Sequence, residues 1–392
     1  LKAFQLSQDQ IIAVIGDIFF EVLANEFSRQ VGAVSRSAWT DQTPLGAGGV
    51  DLAADERDAC LARAARFFGA ATPFANPAPA TLGAVALAID ADINRTLSSF
   101  RFAAAGGLGR EFDHPADRIF GDAAALANLL YGRRRLVSLV APHSLIGFSL
   151  TVLAPNLLGL PAVDARGLTP EELQADLSFG DAVIATPSLW RYLIAQGVKA
   201  PDNAMAVTFG EALSPELSAE IRKAGFGAQR EIYGSTESGL VGWRDTPSDP
   251  FALFEFWRRK GDRLVRLAPS GDEFDVAPMD FLNWDTDRRF RLAGRRDGAV
   301  QIGGVNAFPD EIAARICEHP AVSACAVSLS RHPSGMDRLV ATITLAGDSI
   351  SESTARSIDA WCRLKLRAHE RPRVYSYRQT EKDEALVLAA HP

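Results

Sequence analysis

Residues 181–216 read DAVIATPSLWRYLIAQGVKAPDNAMAVTFGEALSPE, and this stretch decides the fold. Two short apolar runs, 181–185 and 204–209, are bounded by turn residues and are too short for helices, so both read as buried strands. Each runs into a polar turn and then a helix: Thr186-Pro187-Ser188 opens one through Tyr192, and Ser214-Pro215-Glu216 opens the next. The same grammar extends upstream. Residues 135–140 (RLVSLV) end at Pro142, 160–163 end at Asp164, and Thr169-Pro170-Glu171-Glu172 starts a helix. Strand, turn and helix in repetition predict an α/β fold, a large N-terminal domain whose mostly parallel sheet is flanked by helices. Such sheets bind ligands beyond the carboxyl ends of their strands, which makes the turn residues site candidates.

The flanks have other textures. Residues 10–27 place Ile11, Val14, Ile15, Phe19, Val22, Leu23 and Phe27 at helical spacing. A second helix is expected over 51–68 with Asp51 near its start, and 71–80, with three prolines, is a connector. In the last quarter, FRLAG (290–294) and AVQIG (299–303) read as strands joined by a hairpin at Arg295-Arg296-Asp297-Gly298. A helix over 309–319, strands over 322–329 and 339–345 and a helix over 353–366 complete a small α+β unit. The expected division is 1–296 and 297–392, hinged at Asp297.

Of 392 residues, 47% are apolar and 23% charged, which excludes a disordered or fibrous chain. A net charge of −7 argues against a protein that coats nucleic acid or anionic lipid. Cys60, Cys317, Cys325 and Cys362 lack metal-ligand spacing and read as buried or inert thiols of a reducing cytosol. The best apolar run, 11–20, is broken by Asp17, is too short to span a bilayer and lacks the flanks of a signal peptide. The expectation is a cytoplasmic protein without membrane or nucleic-acid partners.

Chemistry concentrates in Tyr233-Gly234-Ser235-Thr236-Glu237-Ser238-Gly239, which follows a short strand at 229–232. An aromatic ring can stack on a purine, a glycine admits close backbone approach, hydroxyls reach phosphoryl oxygens and a carboxylate can hold Mg²⁺. By composition alone, a polar turn after a strand reads as well.

YGSTE, with Gly210-Glu211-Ala212-Leu213 some twenty residues upstream, resembles the adenylate-forming acyl and aryl ligases. That superfamily comprises acyl-CoA synthetases, nonribosomal peptide adenylation domains and luciferases. Gly294-Arg295-Arg296-Asp297, then Ile302-Gly303-Gly304-Val305-Asn306-Ala307-Phe308-Pro309, is similar to its hinge and the start of its small C-terminal domain. His319-Pro320-Ala321-Val322 matches a segment that follows there. The resemblance is good from about Val137 onward and poor over the first hundred residues.

It implies that ATP and a small, aryl or short acyl, carboxylic acid form an acyl-adenylate, whose acyl group passes to coenzyme A or to the phosphopantetheine of an acyl carrier protein. By position, Tyr233 would stack on adenine opposite Gly210, Glu211 and Ala212, with Gly234 and Ser235 beside it. Thr236 would touch the α-phosphate and Glu237 would hold Mg²⁺. Asp280 would bind ribose, Arg295 the ribose or a phosphate, and Asp297 would be the hinge. His143 matches a residue near the acyl pocket, and a packed strand-end histidine is its plainer reading.

Two departures bear on activity. The phosphate-loop position, Ala103-Ala104-Ala105-Gly106-Gly107-Leu108-Gly109-Arg110, keeps glycines but lacks the family's hydroxyls and lysine. The tail has no Gly-Lys pair, and Lys382 stands among acids. The chain is also shorter than usual for such ligases. A relative that binds a nucleotide, an acyl-adenylate or a carrier protein without adenylating, or that runs another reaction in the same cleft, is therefore the alternative.

Overall fold

Three strand-to-helix joints share one device. Thr169, Thr186 and Ser214 stand in extended backbone, each accepts a hydrogen bond from the N–H three residues on (Glu172, Leu189, Leu217), and proline follows each of them. The cap fills a donor the helix cannot satisfy, and proline sits where its missing N–H costs nothing. These caps set helices at Pro170–Asp176, Pro187–Ala195 and Pro215–Lys223.

The computed structural model describes residues 5–32, 39–70, 74, 78–104, 110–268, 271–302, 305–330, 337–346, 351–379 and 386–389. They group into two compact units, one from Leu1–Ala104, Gly109–Pro278 and Leu282–Leu292, the other chiefly from Met279–Phe281 and Ala293–Pro392.

In the first unit the strands are β1 (Ser99–Ala103), β2 (Glu111–Pro115), β3 (Arg135–Ser138), β4 (Ala162–Asp164), β5 (Asp181–Ile184), β6 (Met205–Phe209) and β7 (Ala228–Ser235). They continue as β8 (Gly239–Arg244), β9 (Phe251–Leu253), β10 (Trp257–Lys260), β11 (Arg263–Leu267), β12 (Glu273–Val276), β13 (Asp280–Thr286) and β14 (Arg289–Arg295), the last two running into the second unit. A nine-stranded sheet has the order β13-β14-β9-β8-β7-β6-β5-β3-β4. It is parallel from β4 to β7 and antiparallel through β8, β9 and β14. The expected parallel sheet thus forms one half of a mixed one. The turn from β7 to β8 is three residues long, enough for a hairpin and far too short for a parallel crossover.

Every residue of β5 and β6 is buried, as strands covered on both faces require. Leu136, Ile184 and Val207 join the core on one face, and Val137, Val183 and Ala206 join that on the other. The second face packs under the Pro187–Ala195 and Pro215–Lys223 helices, where Trp190 meets Phe226 edge-on at 4.8 Å. The first face packs against helices Gln8–Glu26, Ala54–Phe67 and Ala116–Leu129, with Phe67, Phe100, Phe102 and Phe148 gathered between. Each such buried side chain stabilises by about 1.5–3 kcal/mol. The Gln8–Glu26 helix buries the apolar stripe read from its spacing and starts at a Ser7–Gln10 capping box. Among the described residues no helix is long and apolar enough to cross a membrane.

The second unit holds β15 (Val300–Ile302), β16 (Val305–Ala307), β17 (Val322–Ser330), β18 (Arg338–Leu345), β19 (Val374–Gln379) and β20 (Leu386–Ala389). β17-β18-β19-β20 form a sheet with only β18 and β19 parallel. Its core joins Leu339 and Ile343 to Ile312, Ile316 and Ile358 of helices Pro309–Cys317 and Glu352–Lys365. The hairpin expected at 295–298 does not form. β15 pairs instead with β16, Ile302 opposite Val305, and β14 pairs with β9. The Asp297 carboxylate binds the Arg295 guanidinium (2.9 and 2.6 Å) and the Ala299 N–H (3.1 Å), a local turn that leads the chain onward.

Candidate active site

The carboxyl ends of β3, β5, β6 and β7 lie along one edge of the sheet, and the candidate residues of the first unit follow them. His143 comes after β3, Thr186 and Ser188 after β5, Gly210–Ala212 after β6, and Thr236–Glu237 after β7. Register pairs Phe209 with Ile232, which sets Gly210 beside Tyr233 on the adjoining strand.

Gly210 turns the chain out of β6 with φ +87, a conformation that favours glycine. Glu211 accepts a hydrogen bond from the Ser188 hydroxyl at 2.7 Å, and Ala212 is exposed. Beneath this turn Glu231 is buried in β7. Its Oε1 accepts the Leu213 N–H (3.1 Å) and its Oε2 the Arg244 guanidinium (2.7 Å), so one carboxylate joins both candidate loops. Burial pushes the Glu231 carboxyl above the ordinary range, against the pull of Arg244.

Tyr233 is half-buried, its ring packed on Phe251 and Phe290 at 5.5 and 5.7 Å. The strand shifts register between Tyr233 and Gly234, and a Cβ on Gly234 would come within 2.5 Å of the Gly239 carbonyl oxygen. Thr236, Glu237 and Ser238 form the turn, closed by the Ser235 and Ser238 hydroxyls at 3.0 Å and by the Ser238 N–H on Ser235. Gly239 leaves it with φ +77 over Asp122. Asp122 Oδ2 accepts the Leu240 N–H at 3.3 Å, and Arg266 donates to Asp122 Oδ1 at 2.6 Å. His114 reaches the Thr236 carbonyl at 2.7 Å.

His143 stands between two carboxylates of the first helix, with Nδ1 3.3 Å from Asp17 and Nε2 3.4 Å from Glu21. Burial alone would discharge the imidazole, but the two acids outweigh it and raise its pKa to about 9. Arg166 donates to Asp17 at 2.6 and 2.8 Å and also binds Asp164. Burial opposes the Asp17 carboxylate as well, yet His143 and Arg166 hold it below the ordinary range.

Asp280 and Arg295 belong to the second unit. Asp280 is buried at the start of β13, its carbonyl accepting Arg296 at 3.3 Å, and Arg295 is paired with Asp297. Burial opposes the Asp297 carboxylate, but Arg295 and the Ala299 N–H outweigh it and hold the group below the usual range. Ala105 to Gly109 and Lys382 lie outside the described residues. Cys60 and Cys362 are buried, Cys325 half-buried and Cys317 exposed, and all four are free thiols. Burial pushes the Cys60 and Cys325 thiols up to about 12.

The described residues hold no cluster of three or more His, Cys, Asp or Glu that would cage a metal on its own. A lone carboxylate such as Glu237 fits Mg²⁺ that is held mainly by substrate phosphates.

Sequence reasoning marked Ser188 only as one of the turn residues, and it missed Glu231, His114, Asp122 and Arg266. Glu231 alone left a trace, an acid inside a strand next to a glycine turn. Asp17 was visible only as a break in an apolar run.

No family model matches the chain. It is 33% identical over 288 residues to a 4-coumarate–CoA ligase of Halorhodospira halophila, which is 72% of either chain. It is 30% identical over 282 residues, 71% of either chain, to a 4-coumarate–CoA ligase of Rhodobacter capsulatus. The equal shares mean equal lengths, so these relatives are as short as this chain. Among solved structures it is similar to the o-succinylbenzoate CoA synthetase MenE of Bacillus subtilis (TM-score 0.58, 14% identity, 74% of this chain and 70% of that one). The amide bond synthetase McbA of Marinactinospora thermotolerans has the same fold (TM-score 0.57, 15% identity, 72% of this chain and 65% of that one). The chain belongs to the adenylate-forming acyl-CoA synthetase superfamily.

Proposed function

We propose that this protein activates a small carboxylic acid, an aryl acid of the 4-coumarate kind, with ATP and transfers the acyl group to the thiol of coenzyme A. The carrying observation is the 33% identity to a named 4-coumarate–CoA ligase across 72% of both chains. A carboxylate oxygen attacks the α-phosphorus and pyrophosphate leaves. The thiolate sulfur then attacks the acyl carbon and AMP leaves. A carrier-protein phosphopantetheine is the second acceptor to test.

In this reading Tyr233 stacks on adenine across from Gly210, Glu211 and Ala212, with Gly234 and Ser235 next to the nucleotide. Thr236 donates to the α-phosphate. Glu237 holds Mg²⁺, which neutralises phosphate charge when bound. His143, charged at neutral pH, serves near the acyl end as a fixed cation and not as a base. Asp280 and Arg295 keep the ribose and phosphate roles of the resemblance. The division into 1–296 and 297–392 with a hinge at Asp297 is part of the same proposal, as is a cytoplasmic setting.

The test is acid-dependent exchange of labelled pyrophosphate into ATP across a panel of hydroxycinnamic, benzoic and short acyl acids. Exchange with an aryl acid that is lost in Glu237→Ala is expected. No exchange with any acid would overturn the reading.

A further inference from the structure

The Thr236 carbonyl meets a side chain 122 residues away in sequence, His114 Nε2 at 2.7 Å. A backbone carbonyl only accepts, so the imidazole donates from Nε2, which fixes its tautomer. His114 is 3% exposed, and burial, reinforced by Arg118 and Arg266, lowers its pKa to about 4, so the ring is neutral at working pH. It stands on β2, opposite Phe100 of β1, and these two strands flank the glycine-rich segment with Ala103 paired to Glu111. The helix that follows directly, Ala116–Leu129, supplies Asp122, which accepts the Leu240 N–H as the chain leaves the same turn. One continuous piece of chain therefore holds the turn at its tip and at its exit.

We propose that His114 is a positioning residue of the nucleotide site: by donating to the Thr236 carbonyl it fixes the turn that carries the Thr236 hydroxyl and the Glu237 carboxylate. The inference rests on the adenylating reading of that turn. His114 touches no reacting atom. It acts through the backbone, and it couples the strand leaving the glycine-rich segment to the residues that would meet the α-phosphate.

The chemistry of the two side-chain amides supplies the test. The amide nitrogen of glutamine lies as many bonds from Cα as Nε2 of histidine, whereas that of asparagine matches Nδ1 and stops short. His114→Gln and His114→Asn are compared with the wild type for AMP affinity by calorimetry, for KM in pyrophosphate exchange and for melting temperature. AMP affinity within about threefold of wild type is expected for His114→Gln, and a loss of about tenfold or more for His114→Asn, the scale of one buried hydrogen bond. The KM for ATP should rise in the asparagine variant while that for the acid stays put. Should the asparagine variant not fold, His114→Met, similar in length but without a donor, takes its place. Wild-type AMP affinity in the donor-less variant, or equal losses with glutamine and asparagine, overturns the proposal. A wild type that binds AMP yet exchanges pyrophosphate with no acid removes the proposed reaction and leaves AMP affinity to judge His114. A wild type that binds no AMP overturns both.

Discussion

Arg266 and Asp122 meet at 2.6 Å with side chains only 3% and 1% exposed, directly beneath the turn that carries Thr236 and Glu237. Arg266 also donates to the Arg118 carbonyl at 3.0 Å, and its guanidinium lies 4.1 Å over the Phe256 ring. An ion pair so thoroughly removed from water is costly to split, because the survivor keeps its desolvation penalty and loses its partner. Asp122→Ala should therefore destabilise by about 3–5 kcal/mol in denaturant unfolding. Adding Arg266→Met to that variant should recover part of the loss. A double variant as unstable as the two single losses combined would count against the pair as the source.

Gly234 pairs with Leu240 just past the register shift, and the neighbouring Gly239 carbonyl crowds it. A methyl on Gly234 would lie 2.5 Å from the Gly239 carbonyl oxygen, 3.1 Å from the Leu240 Cα and 3.2 Å from the Gly239 carbonyl carbon, all of them backbone atoms that cannot step aside. Gly234→Ala is expected to lower stability by about 1–3 kcal/mol and to weaken AMP binding more than an equal destabilisation elsewhere. Gly261→Ala is the control, since its Cβ would meet nothing within 4 Å and only its φ of +63 is disfavoured. Comparing AMP titrations of the two variants decides the matter.

Glu231 reaches two loops at once. Glu231→Gln keeps an oxygen for the Leu213 N–H but gives up the charge opposite Arg244, whose guanidinium lies 4.2 Å over the Phe251 ring that also supports Tyr233. A loss of about 1.5–3 kcal/mol is expected, the value of a hydrogen bond to a charged group. Because the turn at 211–213 and Tyr233 both lean on this residue, the AMP dissociation constant should rise as well. An unchanged AMP affinity with the expected stability loss would make Glu231 purely structural.

What could be read from the chain beforehand was whatever is local. The runs at 181–185 and 204–209 are strands because their neighbours punctuate them, and Thr169, Thr186 and Ser214 cap helices through bonds spanning three residues. YGSTE stood out for the same reason. The hairpin expected at 295–298 failed although Asp-Gly was there, because a turn signal does not say which strand will pair. The antiparallel half of the sheet went unread on the same account. His114, Asp122 and Arg266 were invisible because their partners are 118 to 148 residues away or more than one element distant, and nothing in EFDHP marks a histidine that will meet Thr236. Asp17 is the sharpest case. As text it spoils an apolar helix, and in the fold it is 2% exposed against Arg166 and His143.

That cluster makes stability depend on pH in a known direction. The folded pKa of His143, about 9, lies above its ordinary 6.5. Its contribution is thus fully present below pH 6.5 and is lost as pH rises through about 9. With the side chain 17% exposed, the loss across this window should be about 2–3 kcal/mol. Asp17 and Glu21, held below the ordinary range, act oppositely, and their contribution fades as pH falls through the acid range. Melting temperature measured from pH 6 to 10 should therefore decline in the wild type, and the decline should be shallower in His143→Gln, which cannot titrate. Asp17→Asn should be destabilised throughout, since it leaves Arg166 and His143 short of a counter-charge. Parallel pH curves for the wild type and His143→Gln would show that the imidazolium is not what the two carboxylates hold.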